Sequence, residues 1–232
     1  MNYDYSHQKR LSIGTQAMPD WSNYITSAKN QVMVKHLQFL QQGEQVLLWG
    51  VPGAGCTHLL QAMCLEAQNQ PCQYYHLASN KPLQAQMLEG LDHAHLVCID
   101  NIDTMVDDRI QQIHLFDVVN LCSRHGISLI LTTKLPPTSL NDDWLIDLKT
   151  RLQAMVRYQI DPLDDEHKKK AIRSWFNVQG IKLENNLIDY VLNHCSRELS
   201  EIKILLAKFL SYCEAKGIAF SINNIKSFLK TY

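Results

Sequence analysis

The segment Gly50-Val51-Pro52-Gly53-Ala54-Gly55-Cys56-Thr57 constrains this chain more than any other. It follows the pattern of a phosphate-binding loop (Gly, four residues, Gly, Lys, then Ser or Thr), with Cys56 in place of the lysine. Such a loop needs a strand before it and a helix after it. The apolar run from Gln45 to Trp49 supplies the strand, and Thr57 to Glu66 reads as the helix. The glycines let successive backbone N–H groups turn inward around a phosphate at the positive end of that helix. Cys56 brings no charge to the terminal phosphates, so a nucleotide-shaped cradle persists without a main element of phosphoryl-transfer chemistry. The competing reading of the same residues is a tight strand-to-helix turn with no ligand.

Strands and helices alternate after the loop. Residues 72–77 read as a strand, with a helix beginning near Lys81-Pro82. His95 to Asp100 is a buried strand ending in an acid. Arg109 to His125 reads as a helix closed by Gly126, and Ile127 to Thr132 as the next strand. A further strand runs from Val156 to Ile160. This rhythm implies a mostly parallel sheet covered on both faces. Beyond the seam at Asp161-Pro162 the periods are helical only, over 164–178, 184–195, 197–216 and 221–230. The expected organisation is a polar arm over 1–20, an α/β nucleotide-binding-like domain over 21–161 that opens with a helical pattern from Trp21 to Gln42, and a small helical lid over 162–232.

Composition excludes several function classes. A net charge of −1 gives no overall basic field to draw the chain to nucleic acid. The seven cysteines form no C-x-x-C pair, and several lie in apolar segments, as suits buried thiols in a reducing compartment. The start lacks the layout of a signal peptide, and no apolar run is long enough to span a bilayer. The expectation is a soluble cytoplasmic protein. His93 and His95 find no third ligand at a zinc spacing, so no metal cluster is assigned. The run Asp164 to Lys170 places acids before bases along one helix, the order that complements the helix dipole.

Four motifs, in order, resemble those of the AAA+ ATPase superfamily, and within it the branch of the bacterial replication initiator DnaA and its short Hda-like members. They are the loop continuing Thr57-His58-Leu59-Leu60, the strand Leu96 to Asp100 with Asn101-Ile102, the segment Asp147 to Leu152, and Ser196-Arg197-Glu198-Leu199. Trp21-Ser22-Asn23-Tyr24 is similar to the stretch that packs near the adenine base in that family. The resemblance covers roughly residues 20–232 and implies an AAA+ α/β domain with a helical lid. The chain stops at Tyr232, short of the DNA-reading domain that follows the lid in DnaA, so direct origin binding is not expected.

The resemblance also implies roles. Gly50, Pro52, Gly53, Ala54, Gly55, Cys56, Thr57 and His58 would line the phosphates, with Asn23 and Tyr24 beside the base. Asp100 and Thr57 would hold Mg²⁺ when ATP or ADP is bound, with affinity weakened by Cys56; the plain alternative for Asp100 is a turn or cap acid. Asn101 stands where many relatives carry a carboxylate that helps activate water, and an amide cannot take that proton. Lys134 occupies the sensor-1 place; it either restores charge near the phosphates or is a solvent-facing loop lysine. Arg197 would contact phosphates from the lid. Arg151 matches the arginine finger, a group that acts across a subunit interface and survives here while the cis-acting groups have decayed; its plain alternative is a surface salt bridge. In the arm, Gln8, Leu11 and Ile13 loosely fit a sliding-clamp-binding peptide.

The implied function is negative regulation of replication initiation. The chain would bind the DNA polymerase sliding clamp and stimulate hydrolysis of DnaA-bound ATP through Arg151, without notable ATPase activity of its own, as a monomer or a homodimer. Two rivals are a weak P-loop ATPase serving as helicase loader or transposition accessory protein, and a scaffold with an empty cradle.

Overall fold

A computed structural model of the chain describes residues 19–231 apart from 68–69, 79–81, 85–87, 140–142, 179 and 197. The expected clamp residues Gln8, Leu11 and Ile13 and the expected lid arginine Arg197 lie outside the described residues.

Five strands form one parallel sheet: β1 (Gln45–Trp49), β2 (Cys72–His76), β3 (Leu96–Asp100), β4 (Ser128–Thr133) and β5 (Val156–Gln159), in the order β2-β3-β4-β1-β5. Every residue of β3 and β4 is buried, and their apolar residues, Leu96 to Ile99 and Leu129 to Leu131, run consecutively rather than alternating. The side chains nevertheless alternate between two cores. Leu47, Val97, Ile99, Leu129 and Leu131 face helices α3 (Arg109–His125) and α4 (Ile146–Ala154). Val46, Leu48, Cys98 and Ile130 face the opposite way, onto α1 (Gln31–Gln38) and α2 (Cys56–Glu66). The expected parallel sheet covered on both faces is thus present.

The C-terminal part is helical: α5 (Asp165–Val178), α6 (Asn185–His194), α7 (Leu199–Lys216) and α8 (Ile222–Thr231). These helices enclose a third core that includes Ile172, Phe176, Val191, Leu206, Phe209 and Ile225. In α7 the predicted apolar face is seen, with Ile202, Leu206 and Phe209 buried and Leu199, Leu205 and Leu210 packed at its edge.

Local chemistry sets the boundaries that matter for the site. Asp108 caps α3 by accepting from the N–H groups of Ile110 and Gln111, and Gly126 ends it with φ 63°. Buried Gln112 then fixes the entry to α4. Its amide donates to the Val106 carbonyl (2.6 Å) and the Asp143 carbonyl (3.1 Å), and its oxygen accepts from the Leu145 N–H (2.7 Å).

Two expectations differ from the structure. The helical pattern over Trp21 to Gln42 yields only the eight residues of α1, preceded by a 3-10 turn at Ala28–Asn30. Asp20 and Asn23 close a reciprocal turn (3.0 and 3.1 Å), Ser27 is extended, and fully buried Asn30 bonds both the N–H and the C=O of Asp161 (2.9 and 2.8 Å). The local turn and the long-range Asn30–Asp161 bonds together override the helical period. The helix expected near Lys81-Pro82 is also not formed over 82–84, where the Leu83 N–H donates to Gln111 and its carbonyl accepts from His114 (3.0 Å).

Candidate functional site

The loop leaves β1 at the point where the sheet order reverses, since β1 lies between β4 and β5 while the chain runs next to β2. Crevices at such switch points, beyond the carboxyl ends of the strands, are where α/β sheets bind ligands. Gly50 is anchored by its N–H donating to the Thr133 carbonyl of β4 (3.2 Å). A Cβ on Gly50 would lie 2.9 Å from the Ile160 carbonyl oxygen, so no other residue fits without backbone movement. Gly53 (φ 78°) and Gly55 (φ 104°) take conformations that side chains rarely adopt. Gly55 is also the N-cap of α2, and having no side chain it leaves the helix start open toward the loop.

Beneath the loop, Asp100 is completely buried and serves four side chains. Thr57 donates its hydroxyl to Oδ2 at 2.7 Å, and Thr132 donates to Oδ1. His76 Nδ1 lies 2.9 Å from Oδ2, and the Tyr74 hydroxyl donates to it at 3.3 Å. Asn101 follows in the left-handed region (φ 63°, ψ 49°), with its N–H donating to Thr132 Oγ1 at 2.9 Å. The sequence placed Thr57, Asp100 and Asn101 here. Tyr74 and His76 come as a finding, because the parallel register sets His76 beside Asp100 across 24 residues of chain.

Two cavities meet at the loop. The smaller, about 310 Å³, is lined by the loop from Gly50 to His58, by Asn101, by Thr132 to Lys134, and by Leu199, Ser200 and Lys203 of α7. The larger, about 790 Å³, is bounded by Asn23, Tyr24, Gly55, Tyr74, Trp175 and Lys203 among others. The lid therefore forms one wall of both. Its approach is close, for a Cβ on Gly53 would sit 3.4 Å from the Leu199 backbone nitrogen.

The charges in this region are unevenly satisfied. Lys134 is engaged by Asp103, which takes its ammonium at 3.4 Å and its backbone N–H at 3.0 Å, on the wall of the smaller cavity. Cys56 is a neutral thiol: burial pushes its pKa up to about 12, and the Asp100 carboxylate adds to the rise. Burial lowers the pKa of His58, whose ring packs edge-on against Tyr24 at 5.4 Å between centroids. Burial likewise lowers that of Lys203, and none of the described residues forms an ion pair with it. The Tyr24 hydroxyl is buried without a partner among the described residues.

These residues fit a nucleotide. The glycines at positive φ keep the loop clear of side chains where phosphates would approach, and Tyr24 lines the larger cavity beside it. Gly50 to His58 would hold the phosphates, with Asn23 and Tyr24 beside the base. Thr57 and Asp100 offer hard oxygen donors suited to Mg²⁺, which would supply charge neutralisation there. Among the described residues no group of three His, Cys, Asp or Glu side chains is placed to hold a metal, and no helix is long and apolar enough to cross a membrane.

No family profile matches the chain. Solved structures do. Domain III of the replication initiation protein DnaA from Thermotoga maritima superposes with a TM-score of 0.80 at 18% identity, over 92% of this chain and 96% of that one. The fold is that of DnaA domain III. DnaA from Aquifex aeolicus, bound to AMPPCP, matches at a TM-score of 0.70 and 20% identity, over 91% of this chain and 68% of its own. The RuvB branch migration motor of Thermotoga maritima gives 0.66 at 13% identity, over 92% and 72%.

Within this fold Arg151 stands apart from the loop. It lies in the last turn of α4 and is exposed. It borders a third depression of about 430 Å³, with Asp117, Asn120 and Arg124 of α3, that shares no residue with the two loop cavities. None of the described residues forms an ion pair or hydrogen bond with its guanidinium. Lys203, Trp175 and Thr132, like Tyr74 and His76, are site residues that the sequence did not single out. Lys203 had a signal in its spacing, one helical turn after Leu199 in the motif already noted.

Proposed function

We propose that this chain is a regulator of replication initiation that works by lending Arg151 to ATP held by a DnaA-type partner. The observation that carries this reading is the state of Arg151: exposed, without an ion-pair partner among the described residues, and away from its own loop. An arginine finger acts in this way, projecting from one subunit onto the transferring phosphoryl group of the next, where it contributes roughly three to five orders of magnitude in rate. The chain's own cradle supports the complementary half of the reading. Cys56 brings a neutral thiol where a lysine would stand, and Asn101 an amide where a carboxylate would activate water. Nucleotide held in cis would then be a structural ligand, and hydrolysis would occur on the partner. The proposal also includes tethering to the DNA polymerase sliding clamp through Gln8, Leu11 and Ile13, which concentrates the regulator on replicated DNA.

The test is ATP hydrolysis by the cognate DnaA on clamp-loaded DNA, with the intact chain or its Arg151→Ala variant added. The intact chain should accelerate hydrolysis and the variant should lose most of the effect. An exposed substitution of this kind changes stability by about 0.5 kcal/mol or less, so the loss would be functional. Equal rates with and without the intact chain would sink the reading, and turnover by the chain alone would favour the ATPase rival.

A further inference from the structure

A phosphate cradle without its lysine lacks the one full positive charge that offsets the terminal phosphates. Two cations lie on the wall of the smaller cavity, Lys134 and Lys203. Lys134 is already paired with Asp103. Lys203 projects from α7, lines both cavities, and has no ion-pair partner among the described residues. Leaving an ammonium half-buried and unpaired is unfavourable unless an anion completes the site. Its neighbours are of the right kind to admit one. Gly53 brings the loop against the first turn of α7, and Ser200 adds a hydroxyl on the same wall.

We propose that Lys203 takes over the role of the missing loop lysine, so that a nucleoside di- or triphosphate is bound with its phosphates between the loop and the lid. The charge has moved from the base of the cradle to its cover. Ligand binding is thereby coupled to lid position: the phosphates draw α7 onto the loop, and a displaced lid leaves the cradle without a cation. This rests on the reading that the loop holds a nucleotide, and it is independent of what Arg151 does.

Removing Lys203 should act in opposite directions on the free and bound protein. Lys203→Met keeps the aliphatic stem and deletes a half-buried charge that has no ion-pair partner among the described residues, so the free protein should melt at the same or a higher temperature. Its affinity for ADP, measured by calorimetry, should fall about ten- to a hundredfold, the range for losing a charge-assisted contact. Affinity for adenosine should be unchanged. Cys56→Lys introduced into Lys203→Met should recover ADP binding, because it returns the charge from the other side of the same cavity, and Lys203→Arg should retain it. ADP binding by Lys203→Met equal to that of the intact chain overturns the proposal, as does equal loss of ADP and adenosine. Failure of the intact chain to bind ADP, ATP or adenosine removes the nucleotide reading of the loop as well, and leaves Arg151 to be judged by its own assay.

Discussion

Thr57 donates its hydroxyl to the Asp100 carboxylate at 2.7 Å, tying the first turn of α2 to the end of β3 directly beneath the loop. The two residues that would hold Mg²⁺ beside a nucleotide are hydrogen-bonded to each other. Thr132, His76 and Tyr74 complete the shell around the same carboxylate. Asp100 is thus structural as well as a candidate ligand.

Replacing Asp100 by Ala strips the acceptor from four donors at once, at a position with no solvent exposure. Donors left unsatisfied in a buried site cost about 1–3 kcal/mol each before relaxation, so the variant should lose on the order of 3 kcal/mol. Urea denaturation measures this. A loss under about 1 kcal/mol would mean that water satisfies the cluster as well as the carboxylate does.

Gly55 should tolerate no side chain. Its φ of 104° is unfavourable for alanine, and the added Cβ would sit 3.2 Å from Tyr24 Cε2. Gly55→Ala should destabilise by about 2 kcal/mol. Part of that cost is the ring contact, so the double variant with Tyr24→Leu should be less unstable than the sum of the two single changes. Strict additivity would place the whole cost in the backbone.

Stability should fall on acidification through His58. Burial lowers its pKa below the ordinary value near 6.5, the charge of Lys203 acts in the same direction, and the Asp20 carbonyl opposes both. The neutral ring is the folded form, so the unfolded chain binds the proton first as pH drops. The contribution is fully present above the unfolded pKa and is lost as pH falls through the folded one. Thermal melts at about pH 7.5 and 5.5 should differ more for the intact chain than for His58→Gln. Identical pH slopes for the two proteins would assign the acid loss to other groups.

How much of this was legible in advance follows from how far apart the interacting residues lie. Glycines at fixed offsets after an apolar strand mark the loop, because the backbone conformations at Gly53 and Gly55 are a local requirement. The consecutive apolar residues at the heart of β3 and β4 mark buried parallel strands, and Asp108 and Gly126 mark the ends of α3 by capping alone. The start of α1 was misread for the opposite reason. Asn30 answers to Asp161, 131 residues away, and that pair of bonds outweighs the helical period before it.

The sequence by itself determined the parallel sheet, the glycine cradle, the loss of its lysine at Cys56 and the presence of an arginine at 151, since each is written in residue type and short spacing. The tertiary structure alone decided where charge is spent and where it is free. Lys134 and Lys203 are equally cationic on paper, yet folding gives Asp103 to the first and leaves the second without an ion pair over the cradle, because a carboxylate 31 residues from one lysine is brought beside it by strand order and none of the described acids reaches the other.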